Sequence, residues 1–365
     1  METENIHIID EAYGFKSGCY TQTREGIVFS VKCATGSESY ILKPCLETAD
    51  RKIFTYAIHS HLNQNGFFNT DRILKTSGDS IFIQLCDRMY TCSRLPQGRQ
   101  CCMENESDIK NSAALLAQMH IASTGFTSTR AAEIIDTILT EKEASCYVKN
   151  ELGSILPLYE HRSKELARFK RLASRGKDRF DYEYLSIAEY YCNLAAEMCK
   201  ELEQSQYTTL SGIYSERGVI CHKDYTSHNI VFPPNASSDL RGKISSTRGE
   251  HDAQSWAAGG MINFDCAAIA LPLFDITNLI KRRMRKCGWR ATDADTILNN
   301  YCKYKPLSKD EIEIIKIVLR FPQKLWRIVN KYYNSRRSWC EKSCLLKLSE
   351  IKKERVQIDE FIKSF

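Results

Sequence analysis

Hydrophobic and polar positions alternate over much of the first part of the chain. The segment 26–43 consists of two β-prone runs around a Gly-containing turn, which predicts a hairpin. Residues 47–64 show a helical spacing of apolar positions, and residues 73–85 repeat the hairpin pattern. We therefore expect residues 1–95 to form a small lobe of β-hairpins and one helix.

From residue 96 onward the spacing becomes mainly helical. Helices are predicted for 109–120, 131–149, 182–204, 308–333 and 341–362, with Pro322 starting or kinking one of them. Short apolar runs that predict strands interrupt this pattern at 219–221, 230–232 and 261–264. Residues 235–260 are rich in Ser, Gly, Asp and Arg without periodicity, which is typical of a mobile loop. The whole pattern predicts an α+β protein whose second, larger lobe over 96–365 is mainly helical.

The composition is that of an ordinary folded protein. Of the 365 residues, 43% are hydrophobic and 26% are charged, which argues against a disordered chain or a fibre. No stretch of about 18 uncharged apolar residues occurs, and the N-terminus carries acid where a secretion signal carries base. We therefore expect neither export by that route nor a membrane-spanning segment. The 16 cysteines form no C-x-x-C pair, which predicts reduced thiols and no structural zinc.

Positive charge is concentrated towards the C-terminal end. The formal net charge is +6, yet residues 281–365 contain 22 Lys plus Arg against 10 Asp plus Glu, so this segment alone is +12. Its densest run is Lys281-Arg-Arg-Met-Arg-Lys286. We favour a solvated helix face for this run. The weaker alternative is a basic nucleic-acid-binding module, because such runs read no base sequence on their own.

The strongest chemical motif lies in the segment 220–232. His222-Lys-Asp224-Tyr-Thr-Ser-His-Asn229 has the H-x-D-x-x-x-x-N spacing of a phosphotransferase catalytic loop. Phosphoryl transfer needs a carboxylate that orients the acceptor hydroxyl and oxygens that hold a metal on the triphosphate. Asp224 fits the first role, as the base, and Asn229 fits the second.

A second part of such a site is a lysine that pairs with the nucleotide phosphates. Lys43 fits it, because it ends a hairpin strand and precedes a helix. Taken alone, Lys43 is more simply an exposed strand-end lysine, but the downstream loop favours the nucleotide role. Two other parts are missing from the sequence. There is no G-x-G-x-x-G loop, and the helix over 47–64 carries acids only near its start instead of a mid-helix Glu.

Several segments resemble the CotS family of bacterial spore-coat proteins. The resemblance rests on Ile220-Cys-His-Lys-Asp-Tyr225, on Met261-Ile-Asn-Phe-Asp-Cys266 followed by Asp275, and on Phe321-Pro-Gln-Lys-Leu-Trp-Arg-Ile-Val-Asn-Lys-Tyr-Tyr-Asn-Ser335. That family is similar to the aminoglycoside and choline phosphotransferases. The resemblance implies a protein-kinase-like, two-lobed fold. It also implies synthesis in the cytoplasm of the mother cell and deposition in the spore coat, beside other spore-coat proteins.

The resemblance further implies a set of site residues. Relatives read I-D-F-[DE] where this chain reads Ile262-Asn-Phe-Asp265, in a predicted metal strand over 261–265. The amide of Asn263 supplies a coordinating oxygen without the negative charge that Mg²⁺ prefers, and Asp265 is the acid that could compensate. The implied site comprises His222 and Asp224 for catalysis, Lys43 and Asn229 for the nucleotide, and Asn229, Asn263 and Asp265 for the metal.

Two hypotheses about function stay open. In the first, the chain is a degenerate or weak phosphotransferase that serves structurally in the coat, which Asn263 and the absent glycine loop favour. In the second, it is an active kinase that uses ATP and Mg²⁺ to phosphorylate a small molecule or a protein, with Asp224 as base. The intact loop favours this second hypothesis. The sequence does not specify an acceptor.

Overall fold

The computed structural model describes residues 3–23, 26–33, 36–45, 48–139, 143–233, 259–335 and 341–364. The loop predicted over 235–260 lies outside these ranges, apart from its last two residues.

A five-stranded antiparallel sheet forms the N-terminal part of the molecule. Its strands are β1 (Ser17–Gln22), β2 (Ile27–Cys33), β3 (Gly36–Pro44), β4 (Ile83–Leu85) and β5 (Arg88–Arg94), in the order β1-β2-β3-β5-β4. Helix α1 (Thr3–Tyr13) precedes the sheet, and α2 (Ala49–Gln64) follows β3. The hairpin predicted over 26–43 is confirmed as β2 and β3, and the helix predicted over 47–64 is confirmed as α2.

The second predicted hairpin, within 73–85, is wrong. Ile73 makes only an isolated bridge with Ser93, and residues 76–80 form a turn in which Thr76 N donates to Ser80 O (2.8 Å). The hairpin lies further along the chain, where β4 pairs with β5 through a turn at Cys86, whose φ is 51°. The hairpin forms here because the β-prone residues of β5 hydrogen-bond to β3 along one edge and to β4 along the other.

The described residues form two hydrophobic cores. The sheet has its own core, in which Phe29, Leu42 and Cys92 pack with Ile9 of α1. Helix α2 belongs instead to the large core of the helical part, where Ile58 and its neighbours are fully buried. Because α2 follows the last residues of β3 but packs with the second core, it joins the two parts of the molecule.

Ten helices among the described residues and a small second sheet form the rest of the molecule. The sheet consists of β6 (Arg99–Gln100), β7 (Ile230–Phe232) and β8 (Gly260–Met261). The helices are α3 (Glu106–Ala122), α4 (Ser128–Asp136), α5 (Ile155–Ala173), α6 (Arg179–Gln204), α7 (Tyr207–Arg217), α8 (Leu273–Cys287), α9 (Ala291–Cys302), α10 (Lys309–Arg320), α11 (Gln323–Asn334) and α12 (Glu341–Ser364). The predicted α+β class, with a small sheet-containing part and a larger helical part, is confirmed. No described helix combines the length and the apolar character needed to cross a membrane.

Two predicted elements are shorter in the structure. The helix predicted over 131–149 ends at Asp136, where the Thr137 hydroxyl donates to the Ile134 carbonyl, and a single 3-10 turn, Ala144–Tyr147, follows. The strand predicted over 261–265 ends at Met261. Asn263 adopts a left-handed conformation (φ 67°, ψ 59°), which breaks the extended chain before the 3-10 turn Phe264–Cys266.

The basic run at 281–286 is a solvated helix face only in part, because Arg282, Arg285 and Lys286 are exposed whereas its other two cations are buried. Lys281 and Arg283 on α8 are only 8% and 4% exposed. Helix α8 packs against both α9 and α10, so cationic positions beside its apolar stripe are covered as well. The Arg283 guanidinium donates to Asp293 of α9 (3.0 and 2.8 Å), which balances its buried charge.

Candidate functional site

The segment between α7 and β7 carries the predicted catalytic loop. It starts after Gly218, whose φ is +72° and whose missing Cβ would lie 2.6 Å from the backbone nitrogen of Phe126. Cys221 then pairs with Ala268 through two backbone hydrogen bonds (2.9 and 3.0 Å). The loop therefore leaves a fixed point in the core, and Asn229 ends it in a short 3-10 turn before β7.

The carboxylate of Asp275 on α8 holds this loop in place. Its carboxylate is fully buried and accepts hydrogen bonds from the backbone nitrogens of His222 (2.6 Å) and Lys223 (2.8 Å). His120 of α3 lies 3.4 Å from the same carboxylate and shares a hydrogen bond with Tyr301 (2.8 Å). Burial raises the pKa of Asp275, but the hydrogen bond and charge of His120 outweigh it and hold that pKa below its ordinary value.

His222 lies inside the protein. Its side chain is fully buried, its Nε2 donates to the Ile262 carbonyl (3.0 Å), and its ring packs against Phe264 at 4.7 Å between centroids. Its Nδ1 accepts the backbone N–H of Asp224 (3.3 Å). The imidazole therefore links the loop to the segment that carries Asn263.

Asp224 and Asn229 lie together, as their spacing predicts. The Asn229 side-chain nitrogen donates to the Asp224 carboxylate (3.0 Å) and to the Asp224 backbone carbonyl (2.8 Å). The other carboxylate oxygen of Asp224 is 3.6 Å from a guanidinium nitrogen of Arg282 on α8. The carboxylate is 39% exposed, so it is both held in place and open to solvent.

Asn263 lies next to Asn229. Its side-chain nitrogen is 3.5 Å from the amide oxygen of Asn229, and its backbone nitrogen donates to Asp71 (2.9 Å). Asp71 also lies 3.4 Å from His59 of α2. The sequence does not indicate this role for Asp71, because nothing in its local pattern separates it from an ordinary loop acid.

Asp265 forms an ion pair with a lysine that no local sequence pattern indicates. Both of its carboxylate oxygens accept hydrogen bonds from the Nζ of Lys52 in the first turn of α2, at 2.6 and 2.7 Å. The lysine side chain is 12% exposed and the carboxylate 32% exposed. The helix that offers a glutamate in kinases therefore offers a cation here, and that cation neutralises the remaining acid of the expected metal segment.

Lys43 lies near the end of β3, half-buried and opposite Thr91 of β5. Two residues later, Cys45 is close enough to Lys52 and Asp265 for their charges to act on its thiol. Burial raises the pKa of Cys45 to about 11, and Lys52 opposes this shift. The end of β3 thus borders the Lys52–Asp265 pair.

The donor set fits a resident magnesium ion poorly. Mg²⁺ is held in proteins through one or two carboxylates together with substrate phosphates. Asn229 and Asn263 offer neutral amide oxygens, and Asp265 is already in an ion pair with Lys52. Among the described residues, no three His, Cys, Asp or Glu side chains are grouped so as to hold a metal ion.

An open cavity of about 380 Å³ lies beside Asp224, between α5, α8, α10 and α11. Its wall includes Arg282 and Arg285 from the basic run of α8, with Lys281 at the base. Glu151 also lines it and forms an ion pair with Lys223. Burial lowers the pKa of Lys223 to about 8, and the nearby charge of Lys149 acts in the same direction.

No family model matches the sequence. A curated relative is spore coat protein S of Bacillus subtilis (strain 168), which is 21% identical over 304 residues, covering 82% of this chain and 76% of the relative.

Solved structures match over nearly the whole chain. An aminoglycoside phosphotransferase from Alicyclobacillus acidocaldarius has a TM-score of 0.75 at 19% identity, over 98% of this chain and 94% of that one. A spectinomycin phosphotransferase solved with ADP and spectinomycin has a TM-score of 0.56 at 12% identity, over 99% and 97%. An amicoumacin kinase solved with AMP-PNP and Ca²⁺ has a TM-score of 0.56 at 13% identity, over 98% and 94%. The chain is therefore similar to spore coat protein S and has the two-lobed, kinase-like fold of the aminoglycoside phosphotransferases.

Proposed function

We propose that this protein is a structural component of a spore coat, built on a phosphotransferase fold whose metal centre has degenerated. The observation that carries the proposal is the ion pair between Lys52 and Asp265, next to an asparagine at position 263. The first removes one carboxylate from metal binding and the second replaces another with an amide. Phosphoryl transfer relies on metal ions to neutralise charge on the phosphates, so this site is poorly equipped for it.

The same proposal gives the remaining residues a structural role. Asp275 and His222 hold the loop, and Asp224, Asn229 and Asn263 form a hydrogen-bonded chain between the loop and the segment after β8. Such a network stabilises this region of the helical part whether or not a nucleotide binds, and the backbone of Asn263 links it to Asp71 of the first part.

Location and partners follow from the relationship to spore coat protein S. We propose synthesis in the cytoplasm of the mother cell, followed by deposition in the coat in contact with other spore-coat proteins. We propose neither a membrane nor a nucleic acid as a partner. The basic run that would have served nucleic-acid binding is partly buried in α8.

The second candidate function is an active ATP-dependent kinase. It is favoured by one observation: Asp224 is fixed by Asn229 yet open to solvent beside a cavity of small-molecule size. In that function Asp224 orients the acceptor hydroxyl as the base, Asn229 and Lys43 contact the nucleotide, and His222 positions the loop. Asn263 and Asp265 would take the metal after Lys52 releases Asp265.

The melting temperature of the purified protein separates the two candidates. It is measured alone, with ATP, and with ATP plus Mg²⁺. A ligand at about 100 times its Kd adds roughly 2.7 kcal/mol to the free energy of unfolding, which corresponds to several degrees. For the wild type we expect no shift that requires Mg²⁺.

A double variant tests the physical reason. Asn263→Asp together with Lys52→Met restores one carboxylate and releases another, so we expect a Mg²⁺-dependent shift to appear in this protein. Asn299→Asp with Lys177→Met makes the same two charge changes at exposed positions outside the site, and should show none. A Mg²⁺-dependent shift in the wild type, with phosphate transfer that disappears in Asp224→Asn, would instead establish the kinase.

A further inference from the structure

The cavity beside Asp224 has a strongly cationic wall. Six cationic side chains line it against only two acidic ones, Glu151 and Asp224. The cations are Arg162 of α5, Lys223 of the loop, Lys281, Arg282 and Arg285 of α8, and Arg327 of α11. They come from four separate elements that are far apart in sequence, so the concentration of charge is a product of the fold.

Each of the two acidic side chains in the wall already interacts with a cation of the same wall. Glu151 pairs with Lys223, and Asp224 lies 3.6 Å from Arg282. The other four cations have no carboxylate partner in the wall. Lys281 donates to the Val318 carbonyl (2.9 Å) and Arg162 to the neutral amide of Gln323 (2.7 Å).

The outer two arginines have even fewer partners. Within the described ranges, neither Arg285 nor Arg327 has a side-chain hydrogen bond or an ion pair. Glu354, the acid whose charge acts on Arg285, pairs with Lys324 at 2.8 Å. Buried Nε of Arg162 also lacks a hydrogen-bond partner in the part of the chain that is described.

The cations are close enough to repel one another. Burial lowers the pKa of Lys281 to about 7, and the charge of Arg285 adds to the shift. Arg282 and Arg285 reach solvent through the cavity, but the concave wall around them still removes enough water to lower the pKa of each. The charge of Arg327 acts in the same direction on both. Cations grouped in this way repel one another, and an anion between the guanidinium groups relieves the repulsion.

We infer that this cavity binds a small molecule carrying at least two phosphate or carboxylate groups. Its volume of about 380 Å³ suits a compound of sugar-phosphate size and is too small for a folded partner. Ile155, Leu158 and Phe274 supply an apolar side against which a carbon skeleton packs. Arg162 is held in a fixed plane, with its guanidinium 4.2 Å from the ring centre of Trp326.

This inference goes beyond the proposed function, because the cation wall needs neither ATP nor a metal to bind an anion. The positive charge of the wall would also repel a cationic ligand such as a polyamine. Of His222, Asp224, Asn229, Asn263 and Asp265, only Asp224 lines this cavity.

Isothermal titration calorimetry at low ionic strength, without nucleotide or metal, tests the inference with three probes. Fructose 1,6-bisphosphate carries two phosphates, fructose is its neutral counterpart, and glucosamine is cationic. We expect the bisphosphate alone to bind, with an affinity that falls as salt is added. Removing two guanidinium groups in Arg285→Gln/Arg327→Gln should weaken binding by at least about tenfold.

Arg175→Gln is the matched control, since Arg175 is an exposed arginine outside the cavity and its loss should leave the affinity unchanged. Circular dichroism and the melting temperature show whether the double variant is folded. Absence of binding to the bisphosphate, or binding that is equally strong in the double variant, would overturn the inference. Neither result bears on the metal centre, whose test is the Mg²⁺-dependent melting shift.

Discussion

Removing the Asp275 carboxylate should be among the most damaging single changes in this protein. The side chain is completely buried and accepts the backbone N–H groups of His222 (2.6 Å) and Lys223 (2.8 Å). In Asp275→Ala both donors remain buried without an acceptor. Each such group costs about 1–3 kcal/mol, so the loss in the free energy of unfolding should be roughly 2–6 kcal/mol. That is a large part of the about 5–15 kcal/mol that stabilises a typical protein.

Urea denaturation followed by tryptophan fluorescence measures this loss. Asp295→Ala is the control, because Asp295 is an exposed acid on the neighbouring helix α9, and its loss should change stability by at most about 0.5 kcal/mol. If Asp275→Ala does not fold, Asp275→Asn, which keeps one carbonyl oxygen, should show a smaller and measurable loss. A loss in Asp275→Ala within about 1 kcal/mol of the control would refute the anchoring role.

The pH dependence of this loss is a second check on the same carboxylate. The pKa of Asp275 is lower in the folded protein than in the unfolded chain. The charged group therefore contributes its full stability above the ordinary value of about 3.9, and loses it as the pH falls through the lower folded value. The difference between wild type and Asp275→Ala should be constant from about pH 5 to 8 and shrink below about pH 4.

Two further changes test the packing around the site. Burial lowers the pKa of Lys281 to about 7, so between about pH 7 and 10.5 the unfolded chain binds the extra proton and stability rises with pH. Lys281→Met should therefore be more stable than wild type at pH 7, and in urea denaturation at pH 9 this advantage should shrink by about 2 kcal/mol; an advantage that grows with pH would contradict the argument. Gly218→Ala should cost well over about 2 kcal/mol, because its Cβ would lie 2.6 Å from the Phe126 backbone, whereas Gly14→Ala, also at positive φ but with nothing within 4 Å, should cost only about 1 kcal/mol. Equal melting temperatures for the two alanine variants would show that the Phe126 contact is unimportant.

Local patterns were sufficient for some elements and insufficient for others. The β2–β3 hairpin and helices α2, α3 and α6 follow from alternation or helical spacing, because their pattern reflects one exposed and one buried face. Helix α5 was missed although its buried residues Tyr159, Leu166 and Phe169 have helical spacing. The hairpin predicted over 73–85 shows the opposite error, because a β-prone segment forms a strand only where a partner strand is available to pair with it.

The candidate site likewise contains some contacts that local patterns indicate and others that they do not. His222, Asp224 and Asn229 lie together, as their spacing in the sequence predicts, because the loop that carries them is short. The pairing of Lys52 with Asp265 joins residues 213 positions apart, and no local pattern connects them. Only the packing of α2 against the helical part brings Lys52 to this carboxylate.

The sequence by itself determined the two-part α+β organisation, the catalytic-loop motif and the asparagine at position 263, because each of these follows from patterns among residues that are close together in the sequence. The tertiary structure decided what those residues face. It buried Lys281 and Arg283 of a run that looks like a solvated surface, and it placed Arg282 and Arg285 of the same run on a cavity wall. The physical reason is that burial and charge balance depend on which helices cover a face, and that is a property of the packed molecule.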